Sequence, residues 1–194
     1  MARKVMLITG GGRGIGAATA RLAAARGHDL VLTYLSDAAR AEATARACKE
    51  SGAKVVLCQG DAGTEAGVLA AYAAARDAFG RIDVVVNNAG TTGGKRLVAD
   101  TTVEDWQGVL NANVVGLALS CREAVRHMST RRGGAGGVIV NVSSRAAELG
   151  SPGEWVHYAA SKGAVDRLTI GLAKEVAAEG IRVNAVNPGL IDTE

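Results

Sequence analysis

A tyrosine and a lysine one helical turn apart are the residues in this sequence whose types and spacing most directly suggest chemistry. Tyr158 and Lys162 are positions i and i+4 of the run YAASK at 158–162, so a helix would present both side chains on one face. A free phenol has a pKa of about 10, which is poorly matched to proton transfer at neutral pH, but a nearby ammonium lowers it. The pair predicts a general acid/base, although such a pair by itself also occurs by chance on surface helices.

Glycines near the N-terminus form a second candidate site. The run TGGGRGIG at 9–16 lies between a short apolar run and a helical pattern. Glycines let the backbone approach a pyrophosphate, and the helix that follows offers free N–H groups at the positive end of its dipole. The spacing differs from the GxGxxG of many dinucleotide-binding folds, and such a turn also occurs for packing alone. The predicted cofactor-binding residues here are Gly10, Gly12, Arg13, Gly14 and Ile15.

The end of the second apolar run bears on which dinucleotide binds. NAD enzymes usually place an acidic residue there for the ribose 2′-hydroxyl, but Tyr34 occupies the position and Asp37 is better suited to cap the next helix. Arg13 and Ser36 would instead bind a 2′-phosphate. The residues therefore favour NADP(H), with NAD(H) as the alternative, and an ordinary solvated role for Arg13 stays open.

Two further runs end in residues suited to a ligand. Asp61 follows the third run and could accept a hydrogen bond from the adenine amino group, although a turn or capping role is an equally good interpretation. The motif NNAG at 87–90 ends the fourth run, and it suits either a loop lying against a ligand or an ordinary turn. From this motif we predict cofactor contacts by Asn87, Ala89 and Gly90.

The elements that must position these residues alternate along the chain. The apolar runs are mostly continuous, as in a parallel sheet with helices on both faces, and Gly27, Gly52, Gly80 and Gly180 follow helical patterns where left-handed C-caps are expected. We predict one α/β domain over 1–194, a doubly wound, Rossmann-like parallel sheet in three α/β/α layers, with ligands beyond the carboxyl ends of the strands. Predicted strands lie near 4–9, 29–34, 54–58, 82–87, 137–142 and 181–187, and predicted helices near 14–26, 38–51, 65–79, 103–129 and 156–179.

The composition argues against several classes of protein. A net charge of +3, from 22 basic and 19 acidic residues, is too small for a nucleic-acid surface. The three cysteines and three histidines have no CxxC or metal-ligand spacing, so we expect a reduced intracellular protein without a metal site. No segment reaches the roughly 18 to 20 apolar residues of a membrane span. We therefore expect a cytoplasmic protein that binds neither nucleic acid nor membranes.

Five motifs together resemble those of the short-chain dehydrogenases/reductases, in their simple single-domain branch. They are TGGGRGIG at 9–16, NNAG at 87–90, the serine pair at 143–144, YAASK at 158–162 and NPG at 187–189. The resemblance covers essentially the whole chain. It implies an oxidoreductase that transfers a hydride between NADP(H), or NAD(H), and a carbonyl or secondary alcohol. It also implies a homotetramer, with a dimer as the alternative.

The resemblance implies a role for each of four residues. Tyr158 would be the general acid/base, Lys162 would lower its pKa and bind the nicotinamide ribose, and Ser144 would polarise the substrate oxygen. Asn113 would interrupt a long helix and hold a water that links Lys162 to solvent, whereas without the resemblance it is only a polar residue in a helical pattern. A C-terminal segment would close on the nicotinamide through Pro188, Gly189, Ile191 and Thr193.

The chain departs from the family pattern in two places. Ser144 precedes Tyr158 by fourteen positions, one more than in the commonest pattern, so we expect an insertion within 145–157, with Ser143 as the alternative polarising serine. Family members typically continue for several tens of residues, so we expect this chain to lack the usual substrate lid and last strand. The substrate stays open between a 3-oxoacyl or similar ketone and a sugar or polyol. A catalytically silent NADP(H)-binding module is the competing hypothesis.

Overall fold

The computed structural model describes residues 3–193, and its centre is a six-stranded parallel sheet with a hydrophobic core on each face. This architecture confirms the predicted doubly wound α/β/α fold. The strands are β1 (Lys4–Ile8), β2 (His28–Tyr34), β3 (Val55–Gln59), β4 (Val84–Asn87), β5 (Gly137–Val142) and β6 (Ile181–Val186). The helices are α1 (Gly14–Ala25), α2 (Ala38–Glu50), α3 (Glu65–Phe79), α4 (Val103–Leu110), α5 (Gly116–Met128), α6 (Ala146–Leu149) and α7 (Val156–Glu175).

The order of the strands creates a crevice at the centre of the sheet. The order is β3-β2-β1-β4-β5-β6, and β1 pairs with both β2 and β4. The chain therefore builds the sheet outward from β1 to β3, returns to the centre at β4 and builds outward on the other side. The connections after β1 and β4 leave in opposite directions, which opens a crevice at their carboxyl ends. The loops predicted to bind the cofactor follow these strands.

Neighbouring residues of one strand enter the cores on opposite faces of the sheet. Leu7 is buried with Ala71 of α3 and Ala124 of α5, whereas Ile8 is buried with Ala20 of α1. Because successive side chains of a strand point to opposite faces, a strand covered on both sides must be apolar at consecutive positions. This requirement accounts for the continuous apolar runs of the sequence, and the small alanines let the helices pack closely on the sheet.

The helix predicted over 103–129 contains an interruption. One π-helical turn, Asn111–Val115, separates α4 from α5, so that the backbone stays helical but widens locally. The junction lies close to the loop after β3, since a Cβ on Gly116 would overlap the carbonyl oxygen of Ala62. The loop that borders the crevice and the π-helical turn are therefore packed backbone against backbone.

Glycines end several of the helices as predicted. Gly27, Gly52, Gly80 and Gly180 all have positive φ, between +70° and +85°. The helix predicted over 156–179 ends earlier, at Glu175, and a separate 3-10 turn leads into Gly180. None of the helices within residues 3–193 is long and apolar enough to cross a membrane.

Candidate active site

Tyr158 and Lys162 lie one turn apart near the start of α7. Tyr158 is half-buried in the first turn of this helix. Lys162 Nζ lies 5.7 Å from the centre of the Tyr158 ring and donates a 2.7 Å hydrogen bond to the carbonyl oxygen of Val142, the last residue of β5. The two side chains predicted to share a helix face are therefore close together at the carboxyl edge of the sheet.

Burial changes the proton affinity of Lys162. The residue is only 4% exposed, and the loss of hydration disfavours its charged form, which lowers its pKa to about 8. The carboxylate of Asp166, one turn further along α7, acts in the opposite direction. A lysine with this pKa is mostly charged at neutral pH, yet it releases its proton more readily than a solvated lysine does.

The two serines that follow β5 have different surroundings. Ser143 is 3% exposed, and its hydroxyl donates to the backbone carbonyl of Lys162 at 3.2 Å. Ser144 is half-buried, and its Oγ accepts from the backbone N–H of Ala146 at 3.1 Å. Its hydroxyl proton is therefore available to a ligand, whereas that of Ser143 is committed to α7. The geometry favours Ser144 over Ser143 as the serine that faces a substrate.

Asn113 lies in the π-helical turn and is completely buried. Its Oδ1 accepts from the backbone N–H of Thr91 at 2.8 Å, and its Nδ2 donates to the Thr91 carbonyl at 2.8 Å and to Ser161 Oγ at 2.9 Å. The side chain thereby joins the loop after β4 to α7. The structure has its helix interruption at the residue where the sequence resemblance implies one.

A crevice of about 920 Å³ opens at the carboxyl ends of β1, β2 and β4. A Cβ on Gly16 would overlap the carbonyl oxygen of Gly10 and lie 2.6 Å from Asn88 Nδ2, so only glycine allows α1 to begin this close to β1. The N-terminus of α1 consequently borders the crevice, where its free N–H groups suit a pyrophosphate. The predicted residues that line the crevice are Gly10, Gly12, Arg13, Gly14, Ile15, Ser36, Asp61, Ala89, Gly90 and Thr193.

Two arginines line the crevice, Arg13 from the glycine-rich loop and Arg40 from the first turn of α2, and Ser36 from the loop after β2 lines it as well. Asp37 caps α2, as the sequence predicted, by accepting from the backbone N–H of Arg40 at 3.0 Å, and its carboxylate pairs with the Arg40 guanidinium at 3.2 Å. Sequence reasoning missed Arg40, although its position three residues after a predicted N-cap places it in a helical turn that faces the end of β2.

Asn88, rather than Asn87, presents its side chain to the crevice. Asn87 is 2% exposed, and its Nδ2 donates to Asn141 Oδ1 at 2.9 Å inside the protein. Asn88 lines the crevice, and its Nδ2 donates to the carbonyl oxygens of Thr9 and Gly10, both at 3.0 Å. Asn87 is the last residue of β4, whereas Asn88 belongs to the loop that follows it. The Asn87 side chain therefore points away from the crevice, and Asn88 is a residue of the crevice lining that the sequence interpretation missed.

Within the described part of the C-terminal segment, Thr193 is the residue that lines the crevice. A Cβ on Gly14 would lie 3.5 Å from Thr193 Cβ. Pro188-Gly189 lies instead beside the loop after β5, where the Pro188 carbonyl accepts from the backbone N–H of Arg145 at 2.9 Å. Ile191 is 52% exposed and lies outside the crevice lining. The structure thus brings one of these predicted residues to the glycine-rich loop and leaves the others apart from it.

The loop that precedes α7 is tied to the loop that follows β4. Lys95 Nζ donates to the carboxylate of Glu154 at 2.6 Å, and the backbone N–H of Arg96 donates to the Glu154 carbonyl at 2.8 Å. The backbone N–H of Trp155 donates to the Ser151 carbonyl at 3.1 Å, which closes a turn just before Tyr158. The loop that contains the expected insertion is therefore anchored at the end that leads into Tyr158.

His157 is adjacent to Tyr158 in sequence but points into the protein interior, as the helical spacing predicts. It is 1% exposed and packs edge-on against the Trp106 ring, with centroids 6.1 Å apart. Its position also restricts the loop after β4, because a Cβ on Gly93 would lie 2.9 Å from His157 Nε2. Within residues 3–193, no three His, Cys, Asp or Glu residues are grouped so that they could hold a metal ion.

Known proteins resemble this chain in both sequence and structure. The family model described as short chain dehydrogenase matches residues 4–194. An uncharacterized oxidoreductase of Escherichia coli K12 is 47% identical over 190 residues, which are 98% of this chain and 77% of that protein. A 3-oxoacyl-[acyl-carrier-protein] reductase of Chlamydia pneumoniae is 36% identical, with 98% of this chain and 75% of the relative covered.

A solved structure extends the similarity to the fold. The crystal structure of a short chain dehydrogenase from Burkholderia cenocepacia in complex with NADP has 37% sequence identity and a TM-score of 0.91, and the match covers 98% of this chain and 76% of that one. Three observations indicate the same family. They are the matching family model, the relatives named as oxidoreductases, and the arrangement of tyrosine, lysine, serine and glycine-rich loop. This chain belongs to the short-chain dehydrogenase family, whose members are NAD(P)-dependent oxidoreductases.

Proposed function

We propose that this chain transfers a hydride between NADP(H) and a ketone or secondary alcohol, with Tyr158 as the general acid/base. The observation that carries the proposal is the buried Lys162 ammonium, 5.7 Å from the Tyr158 ring. A cation beside a phenol favours the phenolate and so prepares the phenol for proton transfer. Burying an ammonium opposes folding, so its presence beside a half-buried phenol supports a catalytic role over a purely structural one.

The crevice suits a nicotinamide dinucleotide. Glycines form its first loop, the N-terminus of α1 borders it, and Arg13, Asp61 and Gly90 line its wall. The glycine loop, the N-terminus of α1 and Arg13 would bind a phosphate or the pyrophosphate. Asp61 would bind the adenine, and Gly90 would lie against the nicotinamide half of the ligand. The bound cofactor supplies or accepts the hydride, and the protein contributes binding, orientation and charge stabilisation.

The side chains near Tyr158 have different roles in proton transfer and in stabilising charge. In a reduction, the hydroxyl groups of Tyr158 and Ser144 donate hydrogen bonds to the substrate oxygen as negative charge develops on it, and Tyr158 then transfers its proton. Lys162 stabilises the phenolate that this transfer leaves, and the carbonyl oxygen of Val142 holds its ammonium in position. Asn113 keeps the neighbouring π-helical turn in contact with α7 through Ser161.

The charges at the end of β2 support NADP(H) as the preferred cofactor. A 2′-phosphate binds well to two guanidinium groups and a hydroxyl, and Arg13, Arg40 and Ser36 all line the crevice. Asp37 offers its carboxylate at the same place, but it already caps α2 and pairs with Arg40. NAD(H), which requires an acceptor for its 2′-hydroxyl, is the alternative.

A ketone of the 3-oxoacyl type is the proposed substrate class, with a sugar or polyol as the alternative. The related protein of C. pneumoniae is named as a 3-oxoacyl reductase. The loop before Tyr158, which would border a bound substrate, is tied to the loop after β4 by the ion pair of Lys95 with Glu154. Cytoplasmic localisation stays a prediction from the composition, and a homotetramer, with a dimer as the alternative, stays a prediction from the family resemblance.

Substitution of Tyr158 by phenylalanine tests the proposal. Tyr158→Phe should lower kcat by about 10²- to 10⁴-fold, the usual contribution of general acid–base catalysis, while the Kd for NADPH changes by less than about twofold. Nicotinamide absorbance with a panel of ketones and alcohols measures the rate, and fluorescence titration measures binding. Tyr72→Phe is the matched control, because it removes a core hydroxyl that donates to the Ser120 carbonyl. A wild-type protein that binds NADPH but turns over no substrate would support the silent-module alternative.

A further inference from the structure

A buried amide–hydroxyl bridge connects the π-helical turn to α7. Asn113 and Ser161 are both completely buried, and Asn113 Nδ2 donates to Ser161 Oγ at 2.9 Å. An amide nitrogen can only donate, so the Ser161 hydroxyl is the acceptor in this contact. Its own proton goes to the backbone carbonyl of Tyr158, at 2.7 Å. The donor and acceptor roles along Asn113, Ser161 and Tyr158 are therefore fixed by chemistry.

The remaining hydrogen-bonding capacity of Asn113 is also used. Its Oδ1 accepts from the backbone N–H of Thr91, and its second amide proton goes to the Thr91 carbonyl, both at 2.8 Å. With three partners in three directions, the side chain cannot rotate without losing a bond in a site closed to water. Removal of the Ser161 hydroxyl would leave one buried N–H of Asn113 without a partner, which destabilises this arrangement.

The bridge stands immediately beside Lys162. A Cβ on Gly90 would lie 2.8 Å from Asn113 Oδ1 and 3.7 Å from Lys162 Nζ, so these two polar groups converge on the Gly90 backbone. Ser161 is the residue before Lys162 and lies three residues after Tyr158. A shift of Asn113 would therefore move the surroundings of the Lys162 ammonium and the backbone of α7 between Ser161 and Tyr158.

We propose that Ser161 is a positioning residue, which acts through Asn113 to hold the π-helical turn and the loop after β4 in register with Lys162 and Tyr158. This inference rests on the proposed function of Tyr158 and Lys162. It assigns Ser161 no contact with substrate or cofactor. A π-helical turn lacks the regular bonding of an α-helix, so its position depends on side-chain contacts such as this one, and an alanine at 161 would loosen it.

Few titratable groups face Lys162, so a change of its surroundings can be read from a pH profile. Tyr158 and Asp166 lie one turn away from it on α7. The end of β5 presents Val142 and Ser143, and the loop after β4 presents Gly90, none of which carries a charge at neutral pH. A shift of the pH dependence of kcat in a variant at position 161 would therefore report on the pair formed by Tyr158 and Lys162.

The matched control for Ser161→Ala lies on the same helix. Thr169 is buried, its hydroxyl donates to the Val165 carbonyl at 2.8 Å and it accepts from Asn141 Nδ2 at 2.9 Å. Thr169→Val therefore also removes a buried hydroxyl that joins an asparagine amide to a carbonyl of α7, two turns beyond Ser161. Both variants should lose a similar amount of stability, which separates a structural effect from a catalytic one.

The experiment compares the wild-type protein with the two variants by steady-state kinetics, by the pH dependence of kcat and by hydrogen exchange. Ser161→Ala should lower kcat by about tenfold, shift the pH dependence of kcat by at least about half a unit, and leave the KM for NADPH within about twofold. In the cofactor-free protein, hydrogen exchange of the Thr91 amide, which donates to Asn113 Oδ1, should become about tenfold faster. Thr169→Val should change none of these quantities.

The inference is overturned if Ser161→Ala has the kcat and pH profile of Thr169→Val, or if Thr91 exchange does not change. Failure of the proposed function looks different, because the wild-type protein itself would then turn over no ketone or alcohol. In that case the exchange comparison still decides whether Ser161 holds Asn113 in place.

Discussion

The Lys162 ammonium lies 5.7 Å from the centre of the Tyr158 ring, while its hydrogen bond goes to a backbone carbonyl. In this arrangement the cation acts on the phenol through its field. The carbonyl partner at the end of β5 fixes the ammonium, and the helix fixes the phenol one turn away. Proton chemistry at Tyr158 thus depends on how α7 packs against β5, as much as on the identity of the two residues.

Lys162→Met should stabilise the cofactor-free protein at neutral pH while it abolishes turnover. Burial lowers the pKa of Lys162 from 10.5 to about 8, so the folded protein binds the proton more weakly than the unfolded chain does. Each unit of pKa difference corresponds to about 1.4 kcal/mol, so removal of the ammonium should increase the free energy of unfolding by up to about 3.5 kcal/mol. Loss of the bond to Val142 reduces this gain.

The gain should depend on pH with a definite sign. It is full below about pH 8, declines between about pH 8 and 10.5, where the folded protein has lost the proton that the unfolded chain still holds, and disappears above that range. Urea unfolding of both proteins at about pH 7, 9 and 11 measures the difference. An equal difference at all three values would contradict this account of Lys162.

Ser144→Ala should mainly lower kcat, whereas Ser143→Ala should mainly lower the stability of the protein. The Ser144 hydroxyl proton is available to a substrate oxygen, so its removal should lower kcat by about 10²- to 10³-fold, as for other oxyanion-stabilising donors. Ser143 donates to the Lys162 carbonyl inside the protein, so its removal should lower the free energy of unfolding by about 1 kcal/mol with a smaller effect on kcat. Steady-state kinetics and thermal unfolding of the two variants give the comparison, and a larger kcat loss in Ser143→Ala would reverse the assignment.

Arg40→Ala should weaken the binding of NADPH and leave that of NADH nearly unchanged. Loss of one charge-assisted contact to the 2′-phosphate should raise the Kd for NADPH by about tenfold. The effect should shrink at high salt, because partly exposed charges are screened. Arg46→Ala, on the same helix but outside the crevice lining, is the control. Equal losses for both cofactors would remove Arg40 from the selectivity site.

Gly116→Ala should destabilise the protein and weaken cofactor binding together. A Cβ at this position overlaps the carbonyl oxygen of Ala62, in the loop that contains Asp61, so the loop or the π-helical turn must move, at a cost of about 1 to 3 kcal/mol. Gly171→Ala is the control, since a Cβ there meets nothing within 4 Å and alanine should instead stabilise α7 by about 1 kcal/mol. Denaturant midpoints and NADPH titrations measure both effects, and unchanged NADPH binding in Gly116→Ala would show that the contact does not influence the cofactor loop.

The sequence by itself determined the features that depend on local geometry. Consecutive apolar residues such as Leu7 and Ile8 predict a strand covered on both faces, because a strand alternates its side chains. The spacing of Tyr158 and Lys162 predicts a shared helix face, because 3.6 residues make one turn. Asp37 as the cap of α2 follows from side-chain hydrogen bonding within four residues. All of these depend on neighbours along the chain, so they can be read without a fold.

Only the tertiary structure decided which of two adjacent residues faces the site. Asn87 ends β4 and Asn88 begins the loop after it, and the folded structure sends Asn87 to Asn141 inside the protein and Asn88 to the backbone of the crevice. Arg40 became a candidate ligand, and Ser161 a partner of Asn113, only through contacts between segments distant in sequence. The physical reason is that sequence spacing sets which residues share a face, whereas strand order and helix packing determine what that face meets.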